Sequence, residues 1–532
     1  MEKKIVKITL ILFIITAVSK VLGFGREILT GYFLGTSGIS DAYNLSLTIP
    51  NFFALVVQQT IAIAFVPIYI NILTNKSKKQ ADSFSFKLII SIAIIFTIFA
   101  VAIFSFSGFF IKLFGSGLSD ESIRLGSALL KTGCWSLVLQ SFVLVFASRL
   151  QALKKFILPA LTGFALDIAC LVFLLLSDKT KNYSLLGFIP LLSLFLQCLM
   201  LIPYSFKKGF SVSITKPFFD EDLKKVLKIA VPALFSVGIY QINILVDKNI
   251  ASNMVEGGIS ALNYSQNIIN LFSALVINSI ITPLYSTLSE FGSKNDYQGM
   301  NKALSSSFKI IGILLVPVCL VLFLFSEDIV TIIYSRGAFD SNSVTLTSAC
   351  LKGYAFSLLF VVFNTLLTKY LYSANKQKQT IIFSAISLLV NISLNLIVYK
   401  FTNLGVEGIA FSTCIASATN TLLLMLYIKK KYNCSFGVSK LIEIISFSII
   451  AIGISYGCYF LLSIFVSNVY VRFIPTGFAC VGIYSLIVLL LDKELALSLK
   501  QSLKKRFSKS RSNMPREYET ITPNNPNDSS SQ

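Results

Sequence analysis

Ser19–Glu27 reads SKVLGFGRE and lies inside an apolar stretch that covers residues 5–34. A stretch of this length can cross a bilayer as a single helix. Three charged side chains, Lys20, Arg26 and Glu27, fall within eight residues of it. A charge near the centre of a span costs at least about 2.5 kcal/mol on insertion scales, so charges kept there usually have a function. We expect these side chains to bind a polar ligand in a water-filled cavity.

The composition is typical of a membrane protein built from helices. Of the 532 residues, 55% are hydrophobic and only 13% are charged, which is too apolar for a soluble globular chain. The first apolar stretch has a basic start but is far longer than the apolar part of a signal peptide, so we interpret it as a retained span. The expected fold class is an all-α polytopic membrane protein.

Fourteen apolar segments of helical length follow one another along the chain. Their approximate limits are 5–34, 43–72, 84–114, 124–150, 157–177, 185–206, 225–252, 259–289, 304–325, 343–373, 380–400, 406–430, 438–466 and 471–492. We number these segments as spans one to fourteen.

The connections between spans alternate in charge. The basic connections are 75–79, 154–155, 207–208, 224–225, 376–378 and 429–431. The connections at 35–41, 255–259 and 403–407 are short and poor in Lys and Arg. By the positive-inside rule, the basic connections and both termini are cytoplasmic in a bacterial plasma membrane. The net charge of +21 is then mainly a topology signal, and nucleic acid is not an expected partner.

Several classes of catalytic site are excluded by residue content. The chain has no histidine, and its nine cysteines form no CxxC pair. The cysteines fit the role of small core residues better than that of disulfides or metal ligands. Neither GxxxxGK[ST] nor HExxH occurs. The sequence therefore favours a transporter over an enzyme.

Short motifs recur 216–222 residues apart and indicate an internal repeat of six spans. GIS occurs at 38–40 and at 258–260, and VPIY at 66–69 resembles TPLY at 282–285. An even repeat unit gives two lobes of parallel topology, and such transporters bind substrate between the lobes and rock them. The alternative is that ends of membrane segments share Gly, Pro and Tyr by chance. The predicted divisions are a first lobe at 1–206, a second lobe at 207–432, two extra helices at 433–495 and a disordered cytoplasmic tail at 496–532.

A second set of polar residues in the spans has the chemistry of a cation site. Asn391 and Asn395 are one helical turn apart on one face of span eleven, and Thr413 follows in span twelve. Amide and hydroxyl oxygens with one carboxylate, which Asp247 could supply, suit a hard monovalent cation. Packing of asparagines between helices is the alternative interpretation.

The quoted first-span motif and several later ones resemble the MurJ (MviN) family of bacterial lipid II flippases, within the multidrug/oligosaccharidyl-lipid/polysaccharide exporter superfamily. The later motifs are SDAY at 40–43, IPN at 49–51, AFVP at 64–67 and RGAFD at 336–340. The likeness extends over all fourteen spans in order.

The resemblance implies a function and a site. The substrate would be an undecaprenyl-pyrophosphate-linked disaccharide-pentapeptide, moved from the inner to the outer leaflet by alternating access, with the prenyl tail near spans thirteen and fourteen. Sodium is the implied coupling ion, held by Asp247, Asn391, Asn395 and Thr413. No other cofactor is expected; membrane lipids and the cell-wall synthesis machinery are the expected partners of a functional monomer. The candidate substrate-binding residues are Ser19, Lys20, Arg26, Glu27, Asp41, Asn51, Gln59 and Asn267.

The sequence departs from the family pattern at cationic positions. The family usually has Arg where this chain has Lys20, an Arg after the IPN motif, and Tyr-Ala-Asp-Arg where Tyr264–Asn267 reads YSQN. Arg26 and Lys20 would then carry more of the anion binding. The alternatives are a flippase for another polyprenyl-linked saccharide, a drug/cation antiporter of the same superfamily, and a scaffold that transports nothing.

Overall fold

The structure, a computed structural model, describes residues 2–466 and scattered positions between 468 and 486. Those residues are helical and contain no strand. The helices that correspond to spans one to six are α1 (Glu2–Leu34), α2 (Gly38–Asn75), α3 (Lys78–Ser105), α4 (Ser107–Phe114), α5 (Asp120–Gly133), α6 (Ser136–Ala152), α7 (Ile157–Leu161), α8 (Gly163–Thr180), a 3-10 turn (Tyr183–Phe188) and α9 (Ile189–Lys207).

The remaining helices correspond to spans seven to thirteen. They are α10 (Glu221–Ser252), α11 (Gly258–Val276), a π turn (Ile277–Ile281), α12 (Thr282–Ser293), α13 (Tyr297–Leu324), α14 (Ser326–Tyr334), α15 (Ser341–Tyr354), α16 (Ser357–Ser373), α17 (Gln377–Phe401), α18 (Glu407–Tyr432) and α19 (Val438–Phe465). The predicted tail at 496–532 and the end of span fourteen after 486 lie outside the described residues.

The predicted number of fourteen spans is not confirmed. Within the described residues, nine helices are long and apolar enough to cross a membrane, or up to eleven if each bent pair is one span. The bent pairs are α5 with α6, at 43°, and α15 with α16, at 42°. The chain forms one compact unit up to Ile445 and a second unit from Ser446 onward. The predicted lobe limits therefore remain a prediction.

The internal repeat predicted from short motifs is visible in the helix lengths. Helices α3 and α13 both have 28 residues, α5 and α15 both have 14, and α6 and α16 both have 17. Most of these starts follow a Ser or Asp N-cap, whose side chain accepts from a backbone N–H of the first turn. Matching lengths at a constant offset place equivalent residues at equivalent points of the two lobes.

A buried ion pair occupies one such point in the first lobe. Arg149 of α6 donates from Nε and Nη2 to Oδ1 of Asp82 of α3, at 3.1 and 3.0 Å, and both side chains are fully buried. The Ser211 backbone N–H donates to the other Asp82 oxygen at 3.2 Å, and Tyr69 OH lies 3.4 Å from Oδ1. This pair ties spans three and four to the chain that leaves span six.

The second lobe has a neutral counterpart at the equivalent positions. Asn301 of α13 lies 219 residues after Asp82, and Tyr370 of α16 lies 221 residues after Arg149. Tyr370 OH donates to Asn301 Oδ1 at 2.8 Å, and Asn301 Nδ2 donates to the Tyr432 carbonyl at 2.8 Å. The same three-way connection is thus made with charges in one lobe and without them in the other.

We expect Arg149→Met to destabilise the protein by about 3–5 kcal/mol, because Asp82 would stay buried without its cation. The matched change Tyr370→Phe removes one neutral hydrogen bond and should cost about 0.5–1.5 kcal/mol. Thermal unfolding of the purified proteins in detergent measures the difference. Equal melting temperatures for the two variants would show that the ion pair stabilises no more than its neutral counterpart.

Candidate functional site: a polar inter-lobe cavity, its seam and a cation site

Arg26 lies in a hydrogen-bonded cluster that joins three helices. Its Nη2 donates to Glu27 at 3.0 Å, and its Nη1 donates to Asp167 of α8 at 3.0 Å. Asn267 of α11 donates to the second Glu27 oxygen at 2.9 Å. The Arg26 side chain is 23% exposed. We expected Arg26 to point away from Glu27, since consecutive helical residues diverge by about 100°; the two long side chains bend toward each other instead.

The charge of this cluster has a consequence for ligand binding. Two carboxylates accept from one guanidinium, so the cluster alone is not cationic. A guanidinium has five N–H donors, and these two bonds use two of them. The others can donate to a phosphate or carboxylate that reaches the 23% of Arg26 that is exposed. Lys20, two turns earlier on α1, is exposed and adds one positive charge.

A polar stripe runs along α11, the π turn and α12. Asn270, Asn278, Thr282 and Ser286 are exposed, although the 36-residue segment Gly258–Ser293 is apolar enough to span a membrane. Exposed polar side chains within a span face a water-filled cavity rather than lipid. The π turn lies in the middle of this stripe, and such turns occur frequently at functional sites.

The second helix contributes further polar groups. Asn51 and Gln59 of α2 are exposed, and Ser19 of α1 is half-buried. With Arg26, Lys20 and Asn267, the predicted substrate residues therefore lie on α1, α2 and α11, and only Arg26, Glu27 and Asn267 form one hydrogen-bonded group. Their roles in binding remain predictions.

Asp41 does not lie at an open cavity mouth, where we expected it, but is fully buried between the lobes. Its carboxylate accepts from the backbone N–H of Gly257 at 2.8 Å, and from both the N–H and the hydroxyl of Ser260 at 2.8 and 2.6 Å. These N–H groups belong to the start of α11, whose N-cap, Gly257, has no side chain to satisfy them. Asp41 of the first lobe thus caps a helix of the second lobe.

The other lobe provides a reciprocal contact. Glu256 Oε1 accepts from the backbone N–H of Gly38, the first residue of α2, at 2.9 Å. Gly257 has a φ of +84°, and a Cβ there would lie 2.7 Å from the Thr36 carbonyl oxygen. Each lobe therefore places an acid at the start of the other lobe's second helix. We call these contacts, together with those of residues 336–343 described next, the seam.

The RGAFD motif at 336–340 belongs to the seam. The Ala338 N–H donates to the Tyr32 carbonyl at 2.7 Å. A Cβ on Gly337, where φ is +61°, would collide with the same carbonyl oxygen, so only glycine fits. Thr36 donates to the Ser343 hydroxyl at 2.8 Å from its own hydroxyl. Asp340 caps α15, and the backbone N–H of Ser343, which donates to it, holds the pKa of this carboxyl below its usual value.

The four residues predicted to hold a cation are brought together by α10, α17 and α18. Asn395 donates to Asp247 at 2.6 Å, Thr413 donates to the other Asp247 oxygen at 3.2 Å, and Asn391 donates to Thr413 at 3.2 Å. Asp247, Asn391 and Asn395 are buried. Asn243, one turn before Asp247 on α10, joins the cluster at 3.4 Å.

Two buried oxygens in this cluster have no hydrogen-bond donor. They are Oδ1 of Asn395 and Oδ1 of Asn243. Buried acceptors without a partner cost free energy, and a cation bound beside Asp247 would satisfy them. Carboxylate, amide and hydroxyl oxygens are the ligands that hard cations prefer. The donor set therefore fits a monovalent cation such as sodium.

Three residues of these groups escaped sequence analysis. Asp167 carried a signal, because it is a lone carboxylate in an apolar span. Asn243 also carried one, because it lies a turn before Asp247. Glu256 lies in a short connection and carried none, since its partner is 218 residues away.

Comparison with known proteins identifies the family. The family model described as lipid II flippase MurJ matches residues 30–479. The chain belongs to the lipid II flippase MurJ family. Among MurJ relatives, a protein of Treponema pallidum described as "Probable lipid II flippase MurJ" is 25% identical over 445 residues, covering 81% of this chain and 83% of the relative. A protein of Bdellovibrio bacteriovorus with the same description is 26% identical over 449 residues, with the same coverage.

Solved structures agree with the family assignment at the level of fold. The chain superposes on a structure described as lipid II flippase MurJ in an inward closed conformation, with a TM-score of 0.77, 24% identity, and coverage of 92% of this chain and 100% of that chain. An inward-facing multidrug transporter of the MATE family gives a TM-score of 0.67 at 14% identity, and covers 80% of this chain and 98% of that chain. The chain is thus a multi-pass bacterial membrane protein of a MurJ transporter family and not an enzyme. The matched range starts at residue 30, after Ser19–Glu27.

Proposed function

We propose that this chain translocates lipid II, an undecaprenyl-pyrophosphate-linked disaccharide-pentapeptide, from the inner to the outer leaflet of the plasma membrane. The observation that carries the proposal is the match of residues 30–479 to the lipid II flippase family. A lipid-linked glycan needs a cavity that is polar for the sugar, the peptide and the pyrophosphate. The exposed polar stripe on α11 and α12 and the exposed Asn51 and Gln59 of α2 supply such a surface.

The direction of opening follows from charge and the position of the seam. If the basic connections are cytoplasmic, both termini are cytoplasmic as well, and the seam lies on the outer side. In that orientation the seam closes the outer side, and the polar face of α1, α2 and α11 is accessible from the cytoplasmic side. Such a state can take up lipid II where it is synthesised.

Arg26 is the residue we propose for the pyrophosphate. Arginine donates to phosphate with two parallel N–H groups, and Lys20 contributes a point charge nearby on the same helix. Glu27, Asp167 and Asn267 position the guanidinium. Ser19, Asn51 and Gln59 are proposed contacts of the sugar and peptide. The protein would work as a monomer and pass its product to the cell-wall synthesis machinery.

Complementation tests the function. The chain is expressed in a bacterium depleted of its own lipid II flippase, and growth and outer-leaflet lipid II are measured. Growth is expected from the intact chain. Normal expression in the membrane without growth would contradict the proposal. A flippase for a different polyprenyl-linked saccharide would also fail to rescue growth.

A drug/cation antiporter is the second candidate, favoured by the likeness of fold to MATE transporters. That function predicts drug uptake by vesicles under a sodium or proton gradient. Uptake of cationic drugs with no effect on lipid II would decide for it.

Sodium is the proposed coupling ion, held by Asp247, Asn243, Asn391, Asn395 and Thr413. Ligand binding to the folded state stabilises it by about 2.7 kcal/mol at a hundredfold excess over Kd. We expect sodium chloride, compared with potassium chloride, to raise the melting temperature of the protein, and Asp247→Asn to abolish this rise. Asp178→Asn, at an exposed acid of α8, is the matched control and should keep it. A sodium effect that survives in Asp247→Asn would contradict the site.

A further inference from the structure

Two consecutive charges on α10 contact different lobes. Asp247 is bonded to Asn395 of α17 and Thr413 of α18, in the second lobe. The next residue, Lys248, donates to the Thr48 hydroxyl and, at 3.4 Å, to the Asn44 carbonyl, both on α2 of the first lobe. Successive residues of a helix point about 100° apart, so one turn of α10 contacts both the cation site and the opposite lobe.

Lys248 is a buried cation held by neutral groups. The side chain is 8% exposed, and among the described residues it forms no ion pair within 4.0 Å. Thr48 and Asn44 satisfy part of its hydrogen bonding but carry no charge. The carboxylates of Asp41 and Glu27 attract it from a greater distance. The charge that stands next to it along the helix is Asp247.

A buried charge with no close counter-ion is costly, and its balance depends on every charge around it. While Asp247 is negative, α10 carries a compensated pair at this level. A monovalent cation bound at Asp247 cancels that negative charge and leaves Lys248 uncompensated. The uncompensated ammonium is most stable where it reaches water or an anion, which requires α2 and α10 to separate at Thr48. A lysine that only joined the helices would respond to no ion.

We propose that Lys248 couples cation binding at Asp247 to opening of the seam, so that sodium favours separation of the lobes on that side. This inference rests on the proposed sodium site. By linkage, closing the seam in turn weakens cation binding. The proposal gives the ion a route to the lobe interface through two adjacent residues.

The test measures a distance across the seam. Spin labels are attached to cysteines at Glu121 of α5 and Asn342 of α15, which are exposed on opposite lobes, in a variant whose native cysteines are replaced. Sodium, compared with potassium, is expected to lengthen the distance between the labels. In Lys248→Met the distance should be the same in both salts, while sodium still raises the melting temperature. Lys248→Arg keeps the charge and should restore the response.

Lys179→Met, at an exposed lysine of α8, is the matched control and should respond like the parent protein. A sodium-dependent lengthening that persists in Lys248→Met overturns the proposal, as does a shortening in the parent protein. Loss of the melting-temperature rise in Lys248→Met also overturns it, because Lys248 would then belong to the ion site itself. A parent protein with no melting-temperature rise in sodium identifies the failure as that of the sodium site.

Discussion

Replacing Arg26 by glutamine should reduce the rate of lipid II translocation by roughly ten- to a hundredfold. A hydrogen bond to a charged group contributes about 1.5–3 kcal/mol, and the substrate's pyrophosphate would lose its guanidinium partner. The loss is compounded because Glu27 and Asp167, which now accept from Arg26, would remain as two carboxylates facing an anion. Translocation by the purified protein in lipid vesicles measures the effect.

Two comparisons separate this effect from general damage. Arg124→Gln changes an exposed arginine of α5 in the same way and should leave the rate unchanged. Arg26→Lys keeps the charge but loses bidentate donation, so its rate should fall between those of the parent and Arg26→Gln. If Arg26→Gln inserts and melts normally but translocates at the parental rate, Arg26 does not hold the pyrophosphate.

Replacing Asp41 by asparagine should open the seam and strongly reduce transport. Asp41 accepts three hydrogen bonds from the start of α11, and an uncharged amide would lose the charge that makes these bonds strong. At about 1.5–3 kcal/mol for a charge-assisted bond, even one lost bond shifts the open and closed populations by at least tenfold. The closed-seam state that we propose for substrate uptake would be depleted.

Cysteine labelling from the outer side measures this shift. A cysteine at Asn267, in a variant whose native cysteines are replaced, should react slowly with a membrane-impermeant maleimide in the parent and faster in Asp41→Asn. Asp120→Asn changes an exposed acid in the first turn of α5 and serves as the control. Unchanged labelling with unchanged transport would mean that Asp41 does not govern the seam.

The sequence predicted the features that depend on local pattern. Apolar runs predicted the helices, and motif spacing predicted a repeat whose helices have equal lengths in the structure. The one-turn spacing of Asn391 and Asn395 predicted a shared face, and the structure joins them to Asp247 and Thr413. Such patterns are contained within one helix, so they can be read without knowing how the helices pack.

Features that depend on packing between distant helices were missed or misplaced. Asp41 was expected at an open cavity mouth, because its partners at the start of α11 are 216 and 219 residues away. The ion pair of Arg26 with Asp167 spans 141 residues. Lys20 and Arg26 predicted a cationic surface, whereas the structure gives Arg26 two acidic neighbours. A charged residue in a span announces a partner, but only the fold decides which one.

The central claim, that this chain moves lipid II across the bilayer, is tested most directly with fluorescent lipid II in vesicles that contain the purified protein. A membrane-impermeant quencher removes the signal of the outer leaflet. The account predicts that quenching proceeds to lipid II from the inner leaflet as well, and that Arg26→Gln slows this second phase. Quenching that stops at the outer-leaflet share, as in vesicles without protein, would contradict the account.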